Sequence, residues 1–198
     1  MKDFGSAVIL AGGYSTRMGF DKQLIMINER RLFDSLYEIL SPVFDHLMVS
    51  TYHPEYYTEA DVEIVDDIFP HKGPLSGLHS ALTHAKSRYV YAIACDMPIF
   101  NYGYIDYLKQ EIVKEYPDAC VTQKGDWIEP FHAFYSTSCL PLFEDILTRD
   151  KTSVCNAVRQ TNLLKIPEEK ALEFTPDWSL FMNLNTPDIL ETYLNNLR

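Results

Sequence analysis

Apolar positions along the chain fall into two alternating rhythms. Ser6 to Leu10 reads as a buried strand closed by Gly12-Gly13, and Leu32, Phe33, Leu36, Ile39 and Leu40 then recur at helical spacing. A second strand is predicted at His46 to Ser50. Leu75, Leu78, Ala81, Leu82 and Ala85 form one stripe of a helix from Leu75 to Ala85, and Tyr89 to Ala94 is a short apolar segment that stops at Cys95-Asp96-Met97-Pro98. Ile105, Leu108 and Ile112 give a helical period over Tyr104 to Tyr116, and Ala119 to Thr122 resumes a strand. The last third is less regular, with strands at Phe131 to Tyr135 and Leu163 to Ile166 and helices at Leu140 to Leu147 and Pro187 to Leu197. Asp188 and Glu191 fall in the first turns of that last helix, where they complement its dipole.

Strands alternating with helices imply an α/β fold, a largely parallel, three-layer αβα sheet that holds its ligands at the carboxyl ends of strands near a switch in strand order. No repeat, low-complexity tract or Pro/Gly/Ser linker divides the 198 residues, so one domain spanning 1–198 is expected.

Composition narrows the function classes. With 46% apolar and 23% charged residues the chain is an ordinary packed globular protein. Lys and Arg number 17 against 28 Asp and Glu, a net charge of −11, which argues against coating nucleic acid or an anionic membrane through a broad basic face. Any anionic ligand must be held locally. Cys95, Cys120, Cys139 and Cys155 are widely spaced with no Cys-x-x-Cys pair, which points to reduced thiols in a cytoplasm. The apolar run Ala7 to Ala11 is too short for a signal peptide or membrane span, so a cytoplasmic location is expected.

The strongest chemical signal is Leu10-Ala11-Gly12-Gly13-Tyr14-Ser15-Thr16-Arg17-Met18-Gly19-Phe20-Asp21-Lys22, a glycine-rich loop directly after the first strand. Glycines let the backbone approach a phosphate and aim N–H groups at it, while Arg17 and Lys22 can neutralise a polyphosphate. The loop is neither a P-loop, which ends in Gly-Lys-Ser/Thr, nor a dinucleotide fingerprint. A plain strand-to-helix turn with two surface cations is the competing reading, and the contiguity of strand, glycine pair, Arg and Lys speaks against it.

That loop resembles the Leu-Ala-Gly-Gly-x-Ser-x-Arg-Met-Gly-x-Asp-Lys signature of the molybdenum cofactor guanylyltransferases, and every fixed position matches. The resemblance extends through Gly73-Pro74-Leu75-Ser76-Gly77-Leu78, Cys95-Asp96-Met97-Pro98 and Asn183-Leu184-Asn185-Thr186-Pro187. It implies a Rossmann-like sheet of the nucleotide-diphospho-sugar transferase type and an enzyme that joins GMP from GTP to molybdopterin or the molybdenum cofactor, releasing pyrophosphate. Cytidylyl and sugar or isoprenoid relatives usually carry Ala-Ala-Gly, so Ala11-Gly12-Gly13 favours the guanine branch. The rivals are a sibling transferase using CTP or another acceptor, and a non-catalytic nucleotide-binding adaptor that hands cofactor to apo-enzymes. Transient contact with molybdoenzymes or their chaperones is a further expectation.

Mapped onto this chain, the resemblance makes Arg17, Lys22 and Asp96 catalytic, and gives Leu10, Ala11, Gly12, Gly13, Lys22, Ser50, Asp67 and Asp96 to the nucleotide. Asp66 rivals Asp67 if the loop shifts by one residue. Asp96, at the carboxyl end of a central strand, is a hard oxygen ligand suited to Mg²⁺, unless it is a turn residue ahead of Pro98. Asn185 either adds an amide oxygen to the same Mg²⁺ or makes an Asx turn opening the last helix. Gly73 to Gly77 opens a helix whose N–H groups could face the ligand or simply cap it. The family has Asn where this chain has Ser50, and serine lacks the amide's paired donor and acceptor. His132 reads as a packed residue more readily than as a phosphate contact, the other histidines form no ligand grouping, and Trp127 and Trp178 are expected in the core or the cleft walls.

Overall fold

The computed structural model describes residues 1–12 and 21–197. From the N-terminus the chain runs through β1 (Lys2–Leu10), a small hairpin of β2 (Met26–Ile27) and β3 (Arg30–Arg31), α1 (Leu32–Leu40), β4 (His46–Ser50) and β5 (Glu63–Val65). Then come α2 (Pro74–His84), β6 (Ser87–Ala94), α3 (Tyr102–Glu115), β7 (Ala119–Lys124), β8 (Trp127–Ser136), α4 (Leu140–Thr148) and α5 (Val154–Val158). β9 (Leu163–Pro167), α6 (Glu168–Leu172) and α7 (Pro187–Asn196) complete the order.

Seven strands make one sheet in the order β5-β4-β1-β6-β8-β7-β9. β5, β4, β1 and β6 are mutually parallel, and β8 alone runs antiparallel to its neighbours β6 and β7. The alternation of side chains along a strand explains the three layers. Ala7 and Ile9 of β1 and Tyr89, Tyr91 and Ile93 of β6 face one core with α1 and α3, whereas Val8, Leu10, Val90 and Ala92 face the other with α2, α4 and α5. α1 shows why periodicity predicts its place: Leu32, Phe33, Leu36 and Leu40 are all buried, each such side chain contributing about 1.5–3 kcal/mol of apolar transfer free energy.

From β1 the chain moves outward to β4 and β5, then crosses back to β6 on the other side of β1. The strand order therefore reverses at β1, and the crevice at its carboxyl end is where a ligand is expected. Backbone bonds hold that crevice: Ala11 N–H donates to the Ser50 carbonyl (2.9 Å) and Cys95 N–H to the Leu10 carbonyl (3.0 Å).

Some expectations are revised. β1 begins at Lys2 rather than Ser6, because its first residues are part-exposed and carry no apolar rhythm. β5, with Val65 as its one buried residue, and the five-residue helices α5 and α6 are too short for periodicity to register. Trp127 is neither core nor cleft wall: it is 57% exposed at the β7–β8 turn. Trp178, by contrast, meets the expectation: half-buried, it packs against the core beside the Phe181 ring, 4.5 Å between centroids.

Candidate active site

The crevice contains two adjoining cavities. The larger, about 300 Å³, is lined by Leu10, Ala11, Gly12, Lys22, Asp96, Asn183 and Asn185, with Phe131 and Pro74 on its walls. The smaller, about 140 Å³, is lined by Ser50, Tyr52, Asp67, His71 and Gly73. Leu10, Gly12 and Pro74 are common to both.

In the larger cavity three chain-distant residues meet. Lys22 Nζ donates to Asp96 Oδ2 at 2.7 Å and also to Asn185 Oδ1. Each is placed by its own local structure. Asp96 lies two residues beyond the end of β6 and is 6% exposed, and its carbonyl accepts from Leu184 N–H (2.9 Å), tying the C-terminal loop to the strand end. Lys22 opens a short 3-10 turn, Lys22–Leu24, whose N-cap Asp21 accepts from Gln23 N–H at 3.0 Å. Gln23 is itself buried, its Oε1 accepting from Thr51 Oγ1 (2.6 Å) and the Tyr57 hydroxyl (2.9 Å). That network anchors the lysine turn beside the end of β4. The cap of α7 is Thr186, whose hydroxyl accepts from Ile189 N–H, so Asn185 is not the residue that opens the helix and its amide oxygen faces Lys22.

The arrangement suits a hard divalent cation. Asp96 and Asn185 direct two oxygens at one positive charge, the ammonium of Lys22, and Mg²⁺ favours a small number of protein oxygens with water and phosphate completing its shell. Among the described residues no cluster of three or more His, Cys, Asp or Glu could hold a metal by itself. Cys95 adjoins Asp96, but burial and that carboxylate push its thiol far above the usual range, which removes it as a nucleophile.

The smaller cavity is organised around Asp67. Its Oδ1 accepts from Ser50 Oγ at 3.2 Å and its Oδ2 from the Tyr52 hydroxyl at 2.8 Å. Burial raises the pKa of this carboxyl, opposed by those two hydroxyl donors. Asp66 is exposed and lines neither cavity, whereas Asp67 lines the smaller one. α2 begins beside it. Its N-cap Gly73 has φ 68, a left-handed conformation that favours glycine. Gly77 serves a different need: a Cβ there would lie 2.9 Å from Leu10 Cδ2, 3.0 Å from Ser50 Cβ and closer still to Ser50 Oγ. Glycine lets α2 approach the ends of β1 and β4.

Of the residues singled out by sequence, Leu10, Ala11, Gly12, Lys22, Asp96 and Asn185 converge on one cavity, and Ser50 and Asp67 on its neighbour. Gly13 and Arg17 lie outside the described residues. His132 is fully buried, with φ 52 at a bulge in β8, and its Nδ1 meets the Tyr91 hydroxyl at 2.5 Å, so it is a packed residue. Phe131, its neighbour, reaches the cavity wall instead. Tyr52, Gln23, His71 and Asn183 were missed. Tyr52 had a signal: two residues beyond Ser50, it shares that residue's side of an extended chain.

The chain as a whole is similar to known proteins of one family. A family model described as the MobA-like NTP transferase domain matches residues 7–162. A Peptoclostridium acidaminophilum protein described as a probable molybdenum cofactor guanylyltransferase is 46% identical over 97% of this chain and 89% of its own length. A Syntrophotalea carbinolica molybdenum cofactor guanylyltransferase is 43% identical over 96% of this chain and 90% of its own. The crystal structure of molybdopterin-guanine dinucleotide biosynthesis protein A from Archaeoglobus fulgidus superposes with a TM-score of 0.86 at 25% identity, covering 97% of this chain and 98% of that one.

Proposed function

The chain belongs to the MobA-like NTP transferase family, and on that premise we propose that it is a molybdenum cofactor guanylyltransferase, transferring GMP from GTP to molybdopterin with release of pyrophosphate. The observation that carries this reading is the continuous crevice at the end of β1, with an oxygen-and-ammonium cluster at one end and a carboxylate subsite at the other. A nucleoside triphosphate has that same polarity, phosphates at one end and a hydrogen-bonding base at the other.

In the proposed reaction a terminal phosphate oxygen of molybdopterin attacks the α-phosphorus of GTP in line. A new P–O bond forms, the bond to the bridging oxygen of the β-phosphate breaks, and that oxygen leaves with the electron pair as pyrophosphate. No side-chain nucleophile is required. The backbone from Leu10 to Gly12 lines the cavity that takes the triphosphate, Gly13 and Arg17 are assigned to the same role from the sequence motif alone, and the Lys22 ammonium neutralises charge that builds on the departing group. Asp96 and Asn185 would hold Mg²⁺, which would supply Lewis-acid neutralisation of the phosphate charge. Ser50 and Asp67 take the nucleoside, and fixing both anionic substrates in line supplies much of the rate by removing their translational freedom. Among the described residues no helix is long and apolar enough to cross a membrane, and we read the enzyme as cytoplasmic.

The test is a thermal-shift panel of GTP, ATP, CTP and UTP with Mg²⁺, followed by pyrophosphate release on adding molybdopterin. Stabilisation by GTP above the others and pyrophosphate release dependent on the pterin are expected. Stabilisation by CTP instead, or tight GTP binding with no pyrophosphate, would overturn the reading.

A further inference from the structure

The hydroxyl of Tyr52 stands in a hydrogen-bond chain whose direction is fixed. His71 N–H, a backbone donor, gives its proton to the Tyr52 oxygen at 3.1 Å, and the Asp67 carboxylate 2.8 Å away can only accept. A phenol has one proton, so that proton points at Asp67 Oδ2. Ser50 Oγ does the same for Oδ1 at 3.2 Å. The loop carrying Asp67 is pinned from its other side by α2, where Ser80 Oγ accepts from Ile68 N–H (3.0 Å) and Ser76 Oγ donates to the Phe69 carbonyl (2.8 Å). Backbone and carboxylate are thus both held, and Asp67 lines the smaller cavity with one acceptor direction on each oxygen already assigned.

A carboxylate oriented in this way presents two adjacent acceptors. The Watson–Crick edge of guanine offers two adjacent donors, N1–H and the 2-amino group, whereas adenine and cytosine place a ring acceptor beside their amino group, and uracil has a single ring donor between two carbonyls. Resting on the reading that Asp67 faces the base, we propose that Tyr52 is a positioning residue for guanine selection: its hydroxyl fixes the rotation of the Asp67 carboxylate so that both oxygens meet the two donors of guanine together. Ser50 and Tyr52 act on opposite oxygens and together supply a two-point hold that a lone serine lacks.

Tyr52→Phe removes only the hydroxyl. Calorimetric binding of GTP is compared with that of ITP, which keeps N1–H and lacks the 2-amino group, in the wild type, Tyr52→Phe and Asp67→Asn, each with its melting temperature recorded. In Tyr52→Phe the affinity for GTP should fall on the order of tenfold, the weight of one charge-assisted hydrogen bond, with a smaller loss for ITP. The preference for GTP over ITP should shrink accordingly, with the melting temperature confirming that each variant is folded at the temperature of the titration. A Tyr52→Phe enzyme that keeps the wild-type preference, or loses GTP and ITP affinity equally, overturns the proposal, as does a wild type with no preference. If Asp67→Asn retains full preference, the failure lies earlier, in the placement of Asp67 at the base.

Discussion

Replacing Lys22 by methionine tests the idea that one position in the crevice is shared between an ammonium and a metal. Met keeps most of the aliphatic stem and removes the charge. The Asp96 side chain is 8% exposed and the Lys22 side chain 22%, so the ion pair is shielded at the carboxylate and partly open at the amine. Breaking a fully buried pair costs about 3–5 kcal/mol and an exposed one ~0–1, which puts this intermediate case at about 2 kcal/mol. For a chain of this size that is a fall in melting temperature of ~4–8 °C, measured by calorimetry in EDTA. Adding Mg²⁺ or Mn²⁺ alone should then raise the melting temperature of Lys22→Met more than that of the wild type, because in the variant the metal displaces water rather than an ammonium from Asp96 and Asn185. GTP affinity should move the other way if Lys22 contacts phosphate as proposed. Opposite signs for metal and nucleotide in one variant are the signature. A variant with wild-type melting in EDTA, or with no larger metal response than wild type, would refute the shared position.

Gly77→Ala forces a methyl toward Ser50 and Leu10 at the base of α2; overpacking costs about 1–3 kcal/mol and the better helix propensity of alanine returns up to ~1, so a net loss of up to about 2 kcal/mol in denaturant unfolding is expected, with a raised KM for GTP. Wild-type stability and KM would show that α2 has room to retreat. His132 titrates in the opposite sense to a salt-bridged histidine, because burial lowers its pKa from 6.5 to about 3. The unfolded chain therefore binds a proton that the folded chain refuses between pH 6.5 and about 3, and stability falls as pH drops through that window. The stability difference between wild type and His132→Gln should shrink on acidification over this range, and a constant difference would refute the buried neutral imidazole.

The fold was legible wherever an element was long enough to repeat its rhythm. β4 runs from His46 to Ser50 as its apolar pattern predicts, and α1 lies where the spacing of Leu32 to Leu40 puts it. β5 was not legible, because three residues hold a single period of alternation and its place at the sheet edge is set by pairing with Met48 to Ser50. The antiparallel β8 was also beyond reach. Direction is decided by tertiary pairing with β6 and β7, and nothing in the order of side chains along Trp127 to Ser136 encodes it.

The site divides along the same physical line. Asp96 and Asn185 are visible in sequence because Asp-x-Pro and Asn-x-Asn-Thr-Pro are local motifs, yet they are 89 residues apart, and the burial of Leu184 in the core and its backbone bond to Asp96 help bring their oxygens to one cation. Tyr52 and Gln23 carry no motif, and their roles come from partners reached through the fold: Asp67 for one, Thr51 and Tyr57 for the other. The net charge of −11 gives these placements their weight. An acidic protein acting on two polyanions attracts neither through its general surface, so association must rely on short-range cations and oriented N–H groups within the crevice. Lys22, held between Asp96 and Asn185, places a positive charge at that spot in a protein of net negative charge. On the proposed reading the same lysine serves two balances, shielding the buried Asp96 carboxylate through its ion pair and offering an ammonium to phosphate.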